Sequence, residues 1–435
     1  MVGEWQETTI GEHVELATGE AFQSARFGTT PDSGTLLARG DNVKEGEFEW
    51  GEKSRYWPKL TPDLERYLLR EGDVLLGMDG SKVGRNWVRV RAKDLPCLLV
   101  QRVARLRAKR TMDQGFLRYL IGNPQFRDYV ARVRTGTSIP HISGGQIKSY
   151  EILLPPLAEQ KAIAEVLGAL DDKIELNRRM NATLEAIARA LFQSWFVNFD
   201  PVRAKLDGRE PVGMDEASAA LFPDSFEESE VGHIPKGWRA CALGDIAKNV
   251  SITFDFKRTP EVVFVNTGDV LEGDFLHSKR SDHVGLPGQA KKSIRPDDIL
   301  FSEIRPANKR YAYVDFDSSD YVVSTKFMII RGSKEIHPRL LYRILIANET
   351  LEEFQVQAES RSGTFPQITF DSISHLPIVL PPIEIQEAFQ RAIGKMDDQI
   401  KVNKQQSCTL ATLRDKLLPK LLSGELSVSN YGPEL

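Results

Sequence analysis

Glu303 and Arg305, in the stretch PDDILFSEIR, come nearest to a metal-dependent nuclease pattern, in which a glutamate is followed two positions later by a lysine that activates water. An always-charged arginine is a poor substitute for that lysine. Methyl transfer to adenine would call for a Gly-rich loop for the methyl donor and a turn with Asn or Asp, two prolines and an aromatic. The nearest strings, LPPL, LPPI and NFDPV, lack that order. The sequence has no phosphate-cradling GxxxxGK loop, no GxSxG elbow and no HExxH pair. His141 and His375 stand alone and read as packing or hydrogen-bonding residues. Cys97, Cys241 and Cys408 are odd in number and far apart, which excludes a disulfide framework and a CxxC zinc pair and fits a reducing cytosol. The expectation is a chain without catalysis, metal or cofactor of its own.

With no reaction to position, the elements must be read for what they carry. At 435 residues the chain exceeds one ordinary core, and 41% hydrophobic with 27% charged residues excludes collagen, low complexity and wholesale disorder. A net charge of -4 excludes a uniformly basic coat, so any polyanion site must be a patch. The first residues, MVGEWQETTIGEHVEL, show no basic start before an apolar run, and about 18 successive apolar residues occur nowhere, so neither export nor a membrane span is expected, and the location is expected to be cytoplasmic.

The chain repeats itself. ILLPPLAEQKAIAEVLGALDDKIELNRR (152–179) aligns with IVLPPIEIQEAFQRAIGKMDDQIKVNKQ (378–405), and Pro155/Pro381, Gln160/Gln386, Asp171/Asp397 and Asn177/Asn403 are each 226 positions apart. Upstream, GTSIPHI matches GTFPQI, EGDVLL matches PDDILF, and Trp5 with Gly11 matches Trp238 with Gly244. Two variable units, each followed by a similar helix, are therefore expected. The boundaries read as 1–154 and 238–380 for the variable mixed α/β units, 155–199 and 381–424 for the helices, 200–237 for a linker and 425–435 for a tail. Both helices carry apolar residues in the 4-3 alternation of a coiled-coil seam, such as Ile163, Leu167, Leu170 and Ile174, or Phe389, Ile393, Met396 and Ile400. Asn177 and Asn181 interrupt the first seam, and Asn177 and Asn403 read either as two exposed helix residues or, the favoured reading, as a buried register pair. Each LPP should stop a strand and start a helix. Residues 200–237, with nine acids, four bases and four prolines, read as a surface tether.

This order, with LPPLAEQKAIAEVLGALDDKIELNRRMNATLEAIARALFQSWFVNFDPV (154–202), LPPIEIQEAFQRAIGKMDDQIKVNKQ (380–405) and KLLSGEL (420–426), resembles the specificity subunit of type I restriction-modification enzymes over the whole chain. The resemblance implies two α/β target-recognition domains in tandem on two long helices that form an antiparallel coiled coil. It implies a non-catalytic reader of double-stranded DNA with a split target, docked to two methyltransferase subunits that bind S-adenosylmethionine. A further motor subunit would use ATP and Mg. The seam residues leave parallel and antiparallel pairing open, but an antiparallel pair would put one variable unit at each end. A helix of about 40 residues is roughly 60 Å long, enough to hold readers over half-sites about one DNA turn, or roughly 34 Å, apart if the domains lean inward. Ile383 and Ile385 depart from Leu157 and Glu159 of the first copy, so the two docking surfaces are expected to be unequal.

DNA contact would draw on Lys, Arg, hydroxyls and amides. Two equivalent turns supply them: DGSKVGRNW, with Lys82, Arg85 and Asn86, and SEIRPANKRY, with Arg305, Asn308, Lys309 and Arg310. Thr137, Ser138, Arg361 and Thr364 could hold phosphates, and Gln367 could read a base or cap the next segment. Residues 1–150 carry 23 bases against 19 acids, and 238–376 carry 18 against 19, so placement matters more than totals. Phe192, Trp195, Phe196 and Phe199 read either as core or as a docking face for a methyltransferase subunit. The competing function is a scaffold holding two ligand domains on a helical pair, without DNA.

Overall fold

Val74–Gly77 and Ile299–Ser302 are strands buried along their whole length. Successive side chains of a strand point to opposite faces, so each of these strands feeds two cores. Val74 and Leu76 join a core with helical residues such as Phe116 and Leu120, whereas Leu75 joins one with Val88, Cys97 and Leu99. Ile299 and Phe301 pack with Leu341 and Phe354, whereas Leu300 packs with Val263 and Val323. Each sheet is thus covered on one side by helices and on the other by a second sheet.

The computed structural model describes residues 5–136, 138–361 and 363–428, in two units, one of Met1–Arg179 with Asn403–Leu435 and the other of Met180–Val402. In the first, strands Val14–Thr18, Val103–Ala108, Val74–Gly77 and Trp87–Arg89 form an antiparallel sheet in that order. In the second, Ala247–Asn249, Phe327–Gly332, Ile299–Ser302 and Tyr311–Tyr313 do the same. Each unit has a second sheet with one parallel pairing, Leu36↔Cys97 in one and Val263↔Tyr321 in the other. A short antiparallel pair brings the start of each α/β domain to the strand before its LPP, with Gln6↔Leu154 and Arg239↔Leu380. The sequence repeat is therefore a repeat of topology.

The long helices run Leu157–Phe192 and Ile383–Leu422, each starting after the second proline of LPP. Part of each belongs to each unit. In the first unit Arg414 Nη1 lies 2.8 Å from Asp171 Oδ1, and Asn177 Nδ2 lies 2.9 Å from Gln406 Oε1, 3.2 Å from Ser407 Oγ and 3.4 Å from Asn403 O. The partner numbers fall as the first helix advances, so the pairing is antiparallel. Asn177 and Asn403 are both buried, as a register pair should be. In the second unit Phe192 and Phe389 pack with ring centroids 6.4 Å apart.

Two expectations need correction. Residues 200–237 fold against the second unit, as helices Asp200–Leu206 and Glu216–Leu221 and a hairpin of Phe226–Ser229 with Gly232–Pro235. Their acids and prolines suggested a tether, but Val202, Phe222 and Ile234 are buried, and Pro201 sits in a first helical turn where proline costs no hydrogen bond. What they cover is the aromatic cluster. Phe192, Trp195 and Phe196 are 6%, 2% and 9% exposed, and Phe199 stacks edge-on against Trp238 at 5.6 Å. Phe192, Trp195 and Phe196 lie in the interior of the second unit and Phe199 is half-buried beside them, so the cluster packs as core and not as a docking face. In the first unit Val428 is buried beside Leu421 and Leu422.

Candidate nucleic-acid interface

In the first unit the turn after strand Val74–Gly77 and the loop before helix Gly144–Lys148 lie side by side. Gly80 N donates to Pro140 O at 2.9 Å and Ile142 N to Met78 O at 2.8 Å. Gly84, at φ +85°, lies so close to helix Pro124–Val133 that a Cβ would come within 2.8 Å of Val130, which fixes the turn carrying Lys82 and Arg85. Gly136, at φ +88°, has the same need, because a Cβ there would come 2.4 Å from Ile139 O. Lys82, Arg85 and Ser138 are exposed and Asn86 is half-buried, its carbonyl accepting from Gly77 N. Thr137 lies outside the described residues. Glu49 is held below the usual carboxylate range by a hydrogen bond and charge from Lys44, opposed by slight desolvation, with Lys53 and Lys82 adding to the pull.

The second unit repeats the juxtaposition. Arg305 N donates to Pro366 O at 3.1 Å, Ile368 N to Glu303 O at 2.9 Å and Arg305 Nη2 to Thr364 O at 3.3 Å. Arg305 and Lys309 both take left-handed backbone, with φ of 44° and 52°, so a tight turn presents Asn308. Arg305, Asn308, Thr364 and Gln367 are exposed. Arg361 ends helix Asn348–Arg361, and its side chain lies outside what is described. Lys309 and Arg310 are committed to their own chain: Lys309 Nζ pairs with Glu272 at 3.0 Å, and Arg310 Nη1 donates to Val270 O at 2.9 Å and Gly268 O at 3.1 Å. Arg310 is a strut that holds the neighbouring hairpin.

A third turn joins each pair. Met78 N donates to Arg102 O at 2.9 Å, and Glu303 N to Lys326 O at 3.0 Å. Arg102 is exposed at φ 76°, and Lys326 is half-buried. Sequence reasoning missed both, although aligning VQRVARL with STKFMII superposes them in a turn between two strands, 224 positions apart where the helices hold 226. Beneath the second set, buried Lys292 donates to Phe327 O at 2.7 Å; burial lowers its pKa, with Glu303 opposing and Lys326 adding to the shift.

The turns rest on a repeated frame. Arg107 grips Asp73 at 2.6 and 2.8 Å, as Arg331 grips Asp298 at 2.6 and 2.9 Å, and each aspartate also accepts from the backbone of the bend before its central strand. Such two-pronged arginine–carboxylate pairs fix geometry as well as adding energy. Each α/β domain is held to its helix by arginine–aspartate contacts at equivalent places. Arg118 Nη2 meets Asp171 at 2.9 Å; Arg343 Nη2 meets Asp397 at 3.0 Å, and Arg339 Nη1 meets the other oxygen of Asp397 at 2.8 Å. Arg343 also pairs with Glu185. The copies differ at the entry tryptophan. Trp5 Nε1 donates to Glu159 at 3.1 Å, whereas Trp238 Nε1 is buried with no hydrogen-bond partner where Ile385 replaces the glutamate. Among the described residues no group of three or more His, Cys, Asp or Glu could hold a metal, and no helix is long and apolar enough to cross a membrane.

With two α/β domains, each set on a helix of an antiparallel pair, the chain belongs to the family of type I restriction modification DNA specificity domains, which it matches over residues 3–186 and 235–411. It is 52% identical over 181 residues to the HindI specificity subunit of Haemophilus influenzae, a match covering 41% of this chain and 39% of that one. It is 24% identical over 433 residues to the EcoBI specificity subunit of Escherichia coli, covering 97% of this chain and 86% of the other. Its fold matches the crystal structure of a type I restriction-modification S subunit from M. genitalium, with TM-score 0.52, 17% identity and coverage of 97% and 96%.

Proposed function

We propose that this chain is the DNA-reading subunit of a type I restriction-modification enzyme, that each unit reads one half of a split double-stranded target, and that the helical pair sets their spacing and docks two methyltransferase subunits. One observation carries the reading: a basic three-turn constellation recurs at equivalent places in two readers, built on the same strand order and held by the same hydrogen bonds. Exposed Lys82, Arg85 and Arg102 suit phosphate and base contacts in one reader, as Arg305 and Asn308 do in the other. Relatives named as specificity subunits support DNA sequence specificity and accord with a subunit that leaves chemistry to others. In this proposal S-adenosylmethionine binds the methyltransferase subunits, ATP and Mg serve a separate motor subunit, and the assembly works in the cytoplasm.

The test is a fluorescence titration of the full chain, with its methyltransferase subunits, against duplex DNA at two salt concentrations. Binding that weakens steeply with salt supports the reading, because counterions are released from the phosphates. Absent or salt-insensitive binding would leave the scaffold alternative.

A further inference from the structure

Ile139 and Phe365 occupy the same place in the repeat, each directly before the loop proline, and they are 65% and 71% exposed. A lone exposed apolar side chain is ordinary on a protein surface. These two differ because the position is apolar in both copies, within matching loops that share the proline directly after it. Each is also held in place: Pro140 O accepts from Gly80 N, and Pro366 O from Arg305 N, so the backbone behind each tip is tied to a basic turn. Three residues further on, Ile142 and Ile368 are buried at 1% and 0%, which anchors the other end of the loop.

An apolar tip among cations has the wrong chemistry for a phosphate and the right chemistry for a base, where it can meet a thymine methyl or press on a base step. Resting on the DNA-reading role above, we propose that Ile139 and Phe365 are base-contacting residues, one per reader, which enter a groove of the half-site while the adjoining basic turns hold phosphates. The prolines stiffen the approach, so little loop freedom is lost on binding.

The test uses the full chain assembled with its methyltransferase subunits, a duplex carrying the motif found methylated in cells, and a random duplex of equal length. Ile139→Ala and Phe365→Ala should each weaken target binding about tenfold, the scale of one lost base contact. Affinity for random DNA and the salt dependence should stay at the parent values. Phe365→Leu should retain most of the affinity. Each alanine variant should relax base preference in one half of the target only. Unchanged target affinity, or an equal loss on random DNA, would overturn the proposal while leaving the DNA-reading role intact. A parent assembly that fails to prefer the target would instead overturn that role, and the tip proposal with it.

Discussion

Gln160 and Gln386 make the same hydrogen bonds in separate units. Gln160 Oε1 accepts from Asp113 N at 2.8 Å while its Nε2 donates to Pro155 O at 2.8 Å and Thr111 O at 3.2 Å. Gln386 Oε1 accepts from His337 N at 2.7 Å while its Nε2 donates to Pro381 O at 2.9 Å and Glu335 O at 3.0 Å. Both are 1% exposed. One amide thus joins the LPP bend, the start of the long helix and the loop entering the reader's own helix.

Gln160→Ala and Gln386→Ala should therefore each cost about 1–3 kcal/mol, since buried backbone groups lose their partners. Glutamate should not rescue, because a carboxylate cannot donate to the proline carbonyl. Chemical denaturation measures the loss, and hydrogen exchange should localise it to the unit that carries the substitution.

Removing Asp397 leaves Arg343, itself 6% exposed, with one carboxylate fewer. Asp397→Ala should cost about 3–5 kcal/mol, the usual penalty for breaking a buried pair from one side. A double-mutant cycle with Arg343→Met should show strong coupling. Additive losses would mean that the clamp contributes little beyond packing.

His337 caps helix Pro338–Leu345 through Nδ1, which accepts from Arg339 N at 3.3 Å, so the cap needs the neutral ring. Burial lowers the pKa of His337, and likewise that of buried His13. The unfolded chain, with His near about 6.5, takes up these protons first as pH falls. Their contribution is complete above that value and declines as pH drops through it towards the lowered folded value. Tm should fall between pH 7.5 and 5.5, and His337→Asn, which can cap without titrating, should reduce the slope.

Asn177 Oδ1 is buried without a hydrogen-bond partner. Asn177→Leu should accordingly raise stability by about 1 kcal/mol while loosening register. A clear loss in chemical denaturation would show that the amide contributes stability as well as alignment.

Much of this architecture was legible because periodicity is a local property. The seam and the LPP bends can be read from neighbours a few positions apart, and Asn177 was expected in the seam and is buried there. Partners far apart in sequence were not legible. Nothing in the spacing joins Arg118 to Asp171 or Arg343 to Asp397, and Arg310 looked like any other basic turn residue until its carbonyl partners were placed. The aromatic end of the first long helix is ambiguous by itself; only the folded 200–237 segment shows what buries Trp195, whose ring meets Phe222 at 5.2 Å.

The central claim is that two independent readers each own half of a split target. The direct measurement replaces residues 238–376 with those of a relative, expresses the chimera with its methyltransferase subunits, and maps methylated positions by single-molecule sequencing. One half of the motif should change while the other half and the length of the gap persist. A motif altered in both halves, or in neither, would contradict the account.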